Sequence, residues 1–161
     1  MASDDFKQGL MEMYQGEIIG EVASNRMLEY FDNPVHRYKL AVMLQLETET
    51  KARLRPVVMA LGLNPAELEA SRETGHAFAD AMKGLGWDEA MATLRDGIKP
   101  YVDRYVEVEA IAPADYREVA HSMVVHEQSL HRFAELEAAG DHERSLEGVL
   151  AQLAYPLPVP S

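Results

Sequence analysis

One stretch of sequence decides the fold that we predict: Leu40-Ala-Val-Met-Leu-Gln-Leu-Glu-Thr-Glu-Thr-Lys-Ala-Arg-Leu54. Read as an α-helix, with a rotation of about 100° per residue, it places Leu40, Leu44 and Leu54 on one narrow face. Glu47 lies in the middle of that face, where a leucine would be expected. Because burying an unpaired carboxylate costs several kcal/mol, Glu47 needs a partner. The candidates are a metal ion, a buried cation or a shared proton.

A second carboxylate lies on the apolar face of the preceding helix, which the pattern predicts from about residue 5 to residue 31. This carboxylate is Glu17, and apolar residues continue the same face on both sides of it: Phe6, Leu10, Met13 and Leu28. If the two helices form an antiparallel hairpin that turns near residue 33, Glu17 faces Glu49, about half a turn from Glu47. We therefore expect Glu17 and Glu47 to lie close together in the interior.

The rest of the chain predicts an all-α fold. A shorter helix should follow Asn64-Pro65, two long helices should cover about residues 88–111 and 114–139, and a short helix should cover about 143–154. Two long antiparallel hairpins joined by a helical crossover are typical of a four-helix bundle. We predict one domain over residues 1–154, followed by an extended proline-rich tail over residues 155–161.

Composition excludes several classes of function. The chain has 27 acidic and 15 basic residues and a net charge of -12, which argues against a nucleic-acid partner. It has no cysteine, so disulfides, thiolate catalysis and cysteine-bound iron–sulfur clusters are excluded. The sequence shows neither a secretory signal nor an apolar run long enough to span a membrane. We expect a cytoplasmic protein with no membrane partner.

The helix order and the core glutamates are similar to those of the ferritin-like superfamily, most of all to its rubrerythrin-type members. In that family each hairpin carries one glutamate and one E-x-x-H motif, and together they bind two irons. Glu17 and Glu47 match the first two glutamates, and Glu127, in His126-Glu-Gln-Ser-Leu-His131, matches the glutamate of the fourth helix. The resemblance implies a non-haem iron or manganese protein of redox or iron-handling function, with oxygen, peroxide or a small molecule as co-substrate.

The ligand set is reduced relative to that family. Thr50 and Leu130 occupy the positions of the two E-x-x-H histidines, and Leu94 lies near the position of the third-helix glutamate. Two histidines of the fourth helix could complete a site for one or two ions. The predicted metal ligands are Glu17, Glu47, Glu127, His126 and His131. Alternatively, His126 is a core histidine hydrogen-bonded to a neighbour.

Two literal E-x-x-H strings lie outside this arrangement. They are Glu73-Thr-Gly-His76 and Glu118-Val-Ala-His121, and each shares its helix face with polar residues. A pattern this short arises easily by chance in a helical protein rich in glutamate. We predict that both are exposed to solvent.

A metal-free interpretation stays open beside the metal site. Lys51 lies four residues after Glu47, and a buried Glu17–Lys51–Glu47 network would balance the charge with no cofactor. Such a bundle would act as a non-catalytic interaction or assembly module, commonly a homodimer. The row formed by Gly16 and Gly20 predicts close approach of another helix.

A third interpretation is a small ligand in the core, with Glu17 or Glu47 as a base or as an anchor for an amine. The sequence leaves open whether the protein is an enzyme.

Overall fold

The structure is a computed structural model, and it describes residues 2–158. Within this range the chain forms six α-helices and one 3-10 turn, with no strand. The helices are α1 (Asp4–Met27), α2 (Pro34–Ala60), α3 (Glu69–Asp80), α4 (Trp87–Ala110), α5 (Arg117–Ala138) and α6 (Glu147–Leu150), and the 3-10 turn is Ala114–Tyr116. The predicted all-α class is confirmed. In this part of the chain, each helix is too short or too polar to cross a membrane.

Side-chain caps fix where the first two helices begin. Ser3 Oγ accepts a hydrogen bond from the Phe6 amide (3.2 Å). Asn33 Oδ1 accepts one from the Val35 amide (2.8 Å), and Pro34 occupies the first helical position. Both caps satisfy amides that have no partner inside the helix. Since α1 and α2 pack against each other, as do α4 and α5, the long helices form two adjacent pairs.

The apolar interior is divided into two clusters. The Phe6 cluster gathers the start of α1, the end of α2, the end of α4 and the start of α5. The Phe133 cluster gathers the opposite ends of the same four helices, together with residues from α3 and from the segment around α6. Between the two clusters lies a buried polar layer, which consists of Glu17, Glu47, Thr50, His126 and Glu127. The packing of both clusters therefore holds these polar side chains inside the protein.

Helix α3 begins at Glu69, later than the predicted start near Pro65. Two side chains of α1 hold the preceding segment in an irregular path. Tyr14 Oη donates a hydrogen bond to the Pro65 carbonyl, and Gln15 Nε2 donates one to the Ala66 carbonyl, each at 2.9 Å. The helix begins only after this segment, because contacts with a distant part of the chain outweigh the local start signal.

Helix α6 is a single turn, and it replaces the longer helix predicted for residues 143–154. Lys39 Nζ and Ser145 Oγ both donate hydrogen bonds to the His142 carbonyl, at 3.0 and 3.2 Å. These bonds fix the segment before α6 in a series of turns. The sequence pattern did not predict them because Lys39 belongs to a distant helix.

The segment after α6 lies against α2. The carboxylate of Glu49 accepts hydrogen bonds from the amides of Ala154 (2.7 Å) and Tyr155 (3.2 Å). Further along, Tyr38 Oη donates a hydrogen bond to the Leu157 carbonyl (3.3 Å). Residues 155–158 contain neither helix nor strand, and residues 159–161 of the predicted tail lie outside the described residues.

Candidate metal centre

Three helices supply the acidic and histidine side chains of the polar layer. Glu17 comes from α1, Glu47 from α2, and His126 and Glu127 from α5. Their residues are exposed by 1%, 5%, 0% and 7%, respectively. On each helix the face that carries them continues as apolar residues in both directions. Burial of these charged groups therefore follows from burial of the apolar faces.

The ligand atoms of this layer converge around His126. Its Nε2 atom lies 3.3 Å from Glu17 Oε1, 3.4 Å from Glu47 Oε2 and 3.9 Å from Glu127 Oε2. Ligand atoms of Glu17, Glu47 and His126 all lie within 4.8 Å of one another. Around one ion with bonds of about 2.1 Å, adjacent ligand atoms would be roughly 3.0–3.4 Å apart. The spacing of Glu17, Glu47 and His126 therefore suits a single ion.

Three atoms at the centre of this group have no hydrogen-bond partner: Glu17 Oε1, Glu17 Oε2 and His126 Nε2. Buried polar atoms in folded proteins nearly always have a partner. Each unsatisfied atom costs about 1–3 kcal/mol, and more when it carries charge. One cation placed among them would satisfy both residues at once.

The carboxylates of the layer also lack a positively charged side chain to balance them. Burial, followed by the neighbouring carboxylates of Glu47 and Glu127, raises the pKa of Glu17 well above its ordinary value. Burial and the charge of Glu47 likewise raise the pKa of Glu127. Among the described residues, no lysine or arginine forms an ion pair with any of these three carboxylates, and the ring nitrogen that faces them is His126 Nε2. Their charge therefore has to be neutralised by a bound cation or by protons.

The predicted Glu17–Lys51–Glu47 network is wrong. Lys51 Nζ instead forms ion pairs with Glu21 and with Glu67 Oε1, the latter at 2.7 Å. Helical spacing correctly places Lys51 at the border of the apolar face. The irregular segment before α3 brings Glu67 to that border, where it competes for the lysine.

Thr50 has a role that the sequence analysis did not predict. Its Oγ1 atom lies 3.3 Å from His126 Nδ1, and both residues are buried. If the hydroxyl accepts a hydrogen bond from Nδ1–H, the lone pair of Nε2 faces the carboxylates, which is the tautomer that binds metal. Thr50 occupies a histidine position of the ferritin-like pattern. In this chain it contacts a histidine that a different helix supplies.

The glycine row of α1 makes room for groups inside the protein. A Cβ atom on Gly20 would overlap the Glu47 carboxylate, and one on Gly16 would overlap the Tyr105 hydroxyl. The close approach predicted for this row is therefore made by side chains of α2 and α4. Tyr105 is itself buried, and its Oη donates a hydrogen bond to the Met13 carbonyl (3.4 Å). Burial and then the nearby carboxylates raise the pKa of Tyr105.

The remaining predicted residues lie elsewhere. His131 is half-buried on α5 and does not belong to the group that could hold an ion. Both literal E-x-x-H strings are exposed, as predicted: Glu73 with His76, and Glu118 with His121.

A second buried polar network was missed by the sequence analysis. Glu137 is fully buried near the end of α5, where it pairs with the buried Lys39 of α2. It also accepts hydrogen bonds from Trp87 Nε1 (2.6 Å) and interacts with His142 Nδ1 (2.9 Å). Burial raises the pKa of Glu137, but the bonds to Lys39, Ser145 and Trp87 together lower it. Unlike the layer around His126, this network balances its own charge.

The chain matches no protein-family model, no curated protein and no solved structure.

Proposed function

We propose that this protein binds one divalent metal ion, iron or manganese, between Glu17, Glu47, Glu127 and His126. The proposal depends on a single observation: the unpartnered oxygens of Glu17 and the unpartnered Nε2 of His126 converge in a fully buried layer. Carboxylate oxygens suit manganese, and together with imidazole they also suit ferrous iron. Thr50 would orient the histidine, and Gly20 would give the Glu47 carboxylate its space.

We further propose that α1, α2, α4 and α5 form a ferritin-like four-helix bundle in which α3 is part of the crossover. The pairing of α1 with α2 and of α4 with α5 supports this architecture. So does the supply of carboxylates from α1, α2 and α5 to one level of the interior. Helix α4 contributes Tyr101 and Tyr105 to the cavity that Glu47 and Glu127 also line, and no glutamate. The set is therefore reduced relative to the two-iron pattern, and one ion is the stoichiometry that we propose.

The proposed activity is redox or iron-handling chemistry with oxygen or peroxide as co-substrate. A bound iron or manganese ion would supply the electron transfer. The residues of the chain bind and shield it: three carboxylates offset its charge, and the two apolar clusters exclude bulk water from it.

Metal analysis tests this proposal. Protein purified without chelators and then loaded with Fe(II) or Mn(II) should retain one ion per chain after desalting. Glu17→Ala and Glu47→Ala should lose that ion, whereas the exposed Glu73→Ala serves as the matched control and should retain it. Failure of the wild-type protein to retain Fe(II), Mn(II) or Zn(II) would overturn the proposal.

A metal-free interaction module is the second candidate. The raised pKa values of Glu17 and Glu127 favour it, because protonation of these two groups would remove most of the buried charge. In this case Glu17→Gln should stabilise the protein, and added metal should leave the unfolding midpoint unchanged. Analytical ultracentrifugation would then test the predicted homodimer.

A further inference from the structure

A narrow cavity lies beside the polar layer, between α1 and α4. Its volume is about 40 Å³. Its walls are almost entirely apolar and come mainly from Ile19, Ala23, Met27, Met43, Leu94 and Ile98. Apolar cavities in proteins stay dry and accept apolar guests. Most of the cavity surface is therefore suited to an apolar guest.

Glycines and one aromatic ring shape this cavity. Gly16 and Gly20 line it on α1, where the absence of a Cβ leaves room for the Tyr105 hydroxyl and the Glu47 carboxylate. On the α4 side, the ring of Phe78 from α3 lies against Gly97, whose Cβ would overlap the ring. Phe78 is half-buried and also lines the cavity.

The cavity ends at the acidic layer. Glu47 and Glu127 line it, as do the aromatic residues Tyr101 and Tyr105. A guest in the cavity would therefore touch two of the carboxylates to which we assign the metal ion. Its other contacts would be with hydrocarbon and aromatic surface.

We propose that this cavity is a binding site for a small, neutral, apolar molecule of a few heavy atoms. An anionic guest would meet the carboxylates of Glu47 and Glu127, a cationic guest would find these two groups as its only charged partners among otherwise apolar walls, and a larger guest would exceed the volume. The guest would be the substrate of the metal centre, and this assignment rests on the proposed function. Its binding does not, because most of the wall surface that it would contact is the hydrocarbon of residues to which we assign no metal ligation, such as Ile19, Met27 and Leu94.

Xenon is a suitable probe, and the methionines of the chain report its position. Met27 and Met43 line the cavity, whereas Met13 and Met123 belong to the Phe6 cluster on the other side of the polar layer. In protein labelled with 13C at the methionine methyls, xenon should shift the resonances of Met27 and Met43 in a saturable manner. The resonances of Met13 and Met123 should stay in place.

Two variants change the cavity without touching the carboxylates. Ala23→Leu should fill it and abolish the xenon shifts of Met27 and Met43. Ile98→Ala should enlarge it and raise the affinity for xenon. Ala92→Leu is the matched control, because Ala92 lies on α4 away from the cavity lining, and it should leave the shifts as in the wild type.

The two proposals fail separately. Absence of xenon shifts at Met27 and Met43 in the wild type, or equal shifts at all four methionines, would overturn the cavity site whatever metal is bound. Persistence of the shifts in Ala23→Leu would overturn it as well. Loss of metal binding with intact xenon shifts would overturn only the metal centre.

Discussion

Thr50 Oγ1 lies 3.3 Å from His126 Nδ1, so a residue of α2 sets the orientation of an imidazole carried by α5. The opposite nitrogen of the same ring faces Glu17 and Glu47. The hydroxyl–imidazole contact therefore connects the second helix pair to the carboxylates of the first.

Removal of the Thr50 hydroxyl should weaken metal binding without removing a ligand. For Thr50→Val we expect a loss of about 10–100-fold in affinity for Mn(II), the effect usual for partners of a ligating histidine. Titration calorimetry would measure it. Thr48→Val is the matched control on the same helix, because the Thr48 hydroxyl bonds to Glu21 and to the Leu44 carbonyl. Equal affinities for Thr50→Val and the wild type would contradict this role of Thr50.

Gly20→Ala should damage the site although alanine favours helices. The helix-propensity gain is about 1 kcal/mol, but the new Cβ would overlap the Glu47 carboxylate. We expect no net gain in the free energy of unfolding, together with weaker Mn(II) binding. In the control Gly148→Ala the new Cβ meets Ser129 Oγ at 3.4 Å, which is an ordinary contact, so metal affinity should not change. A variant Gly20→Ala that is more stable and binds metal normally would contradict the close approach.

Stability of the metal-free protein should fall as the pH rises above about 4.5, the ordinary pKa of glutamate. Burial raises the pKa of Glu17 in the folded state, so the folded protein binds more protons than the unfolded chain in the range between the two pKa values. The free energy of unfolding therefore decreases with pH across this range. Glu17→Gln should remove this contribution, so its stability relative to the wild type should rise with pH.

Urea unfolding in the presence of chelator, from pH 4.5 to pH 7.5, would measure the difference. Glu73→Gln is the control, because Glu73 is exposed and should follow the wild-type profile. Parallel profiles for Glu17→Gln and the wild type would contradict the raised pKa. Metal affinity should change in the opposite direction and increase with pH, since the ion displaces protons from its ligands.

The two buried lysines should differ in their contributions to stability. Lys39 pairs with Glu137, which is fully buried, so Lys39→Met should cost about 3–5 kcal/mol by leaving a buried charge unpaired. Lys51 pairs with Glu21 and Glu67, which reach solvent, so Lys51→Met should cost only about 1 kcal/mol. Chemical denaturation would measure both losses.

A double variant tests the origin of the larger loss. Lys39→Met combined with Glu137→Gln removes the unpaired charge and keeps an oxygen that can accept from Trp87 Nε1. We expect it to recover part of the stability that Lys39→Met loses. Equal losses for the single Lys39 and Lys51 variants, or no recovery in the double variant, would contradict this account.

The long helices and the carboxylates of the site could be predicted from the sequence because both follow from local rules. Ser3 and Asn33 are capping residues, and their side chains accept hydrogen bonds from backbone amides where α1 and α2 begin. Glu17 and Glu47 stood out as charged residues on faces that were otherwise apolar, and the structure buries both. Helical periodicity determines which face is buried, so these residues needed no tertiary information.

Contacts between distant segments account for what the sequence did not predict. The start of α3 depends on hydrogen bonds from Tyr14 and Gln15 of α1. The partners of Lys51 depend on where that same segment places Glu67. The Glu137 network likewise forms only where α2, α4, α5 and the turn at His142 meet. The periodicity of apolar residues predicts which face of each helix is buried. It does not predict which loops or side chains from distant segments contact that face.

The division of the interior into two apolar clusters has a consequence for local unfolding. Helices ordinarily open from their ends, because their middle turns are the best protected from hydrogen exchange. Here the ends of α1, α2, α4 and α5 lie in apolar clusters, whereas their middle turns surround a polar layer in which the Glu17 oxygens and His126 Nε2 have no hydrogen-bond partner. In the metal-free protein we therefore expect the middle turns of these four helices to be the least stable against local unfolding. A bound ion would connect the Phe6 cluster and the Phe133 cluster, so that both unfold together as one cooperative unit.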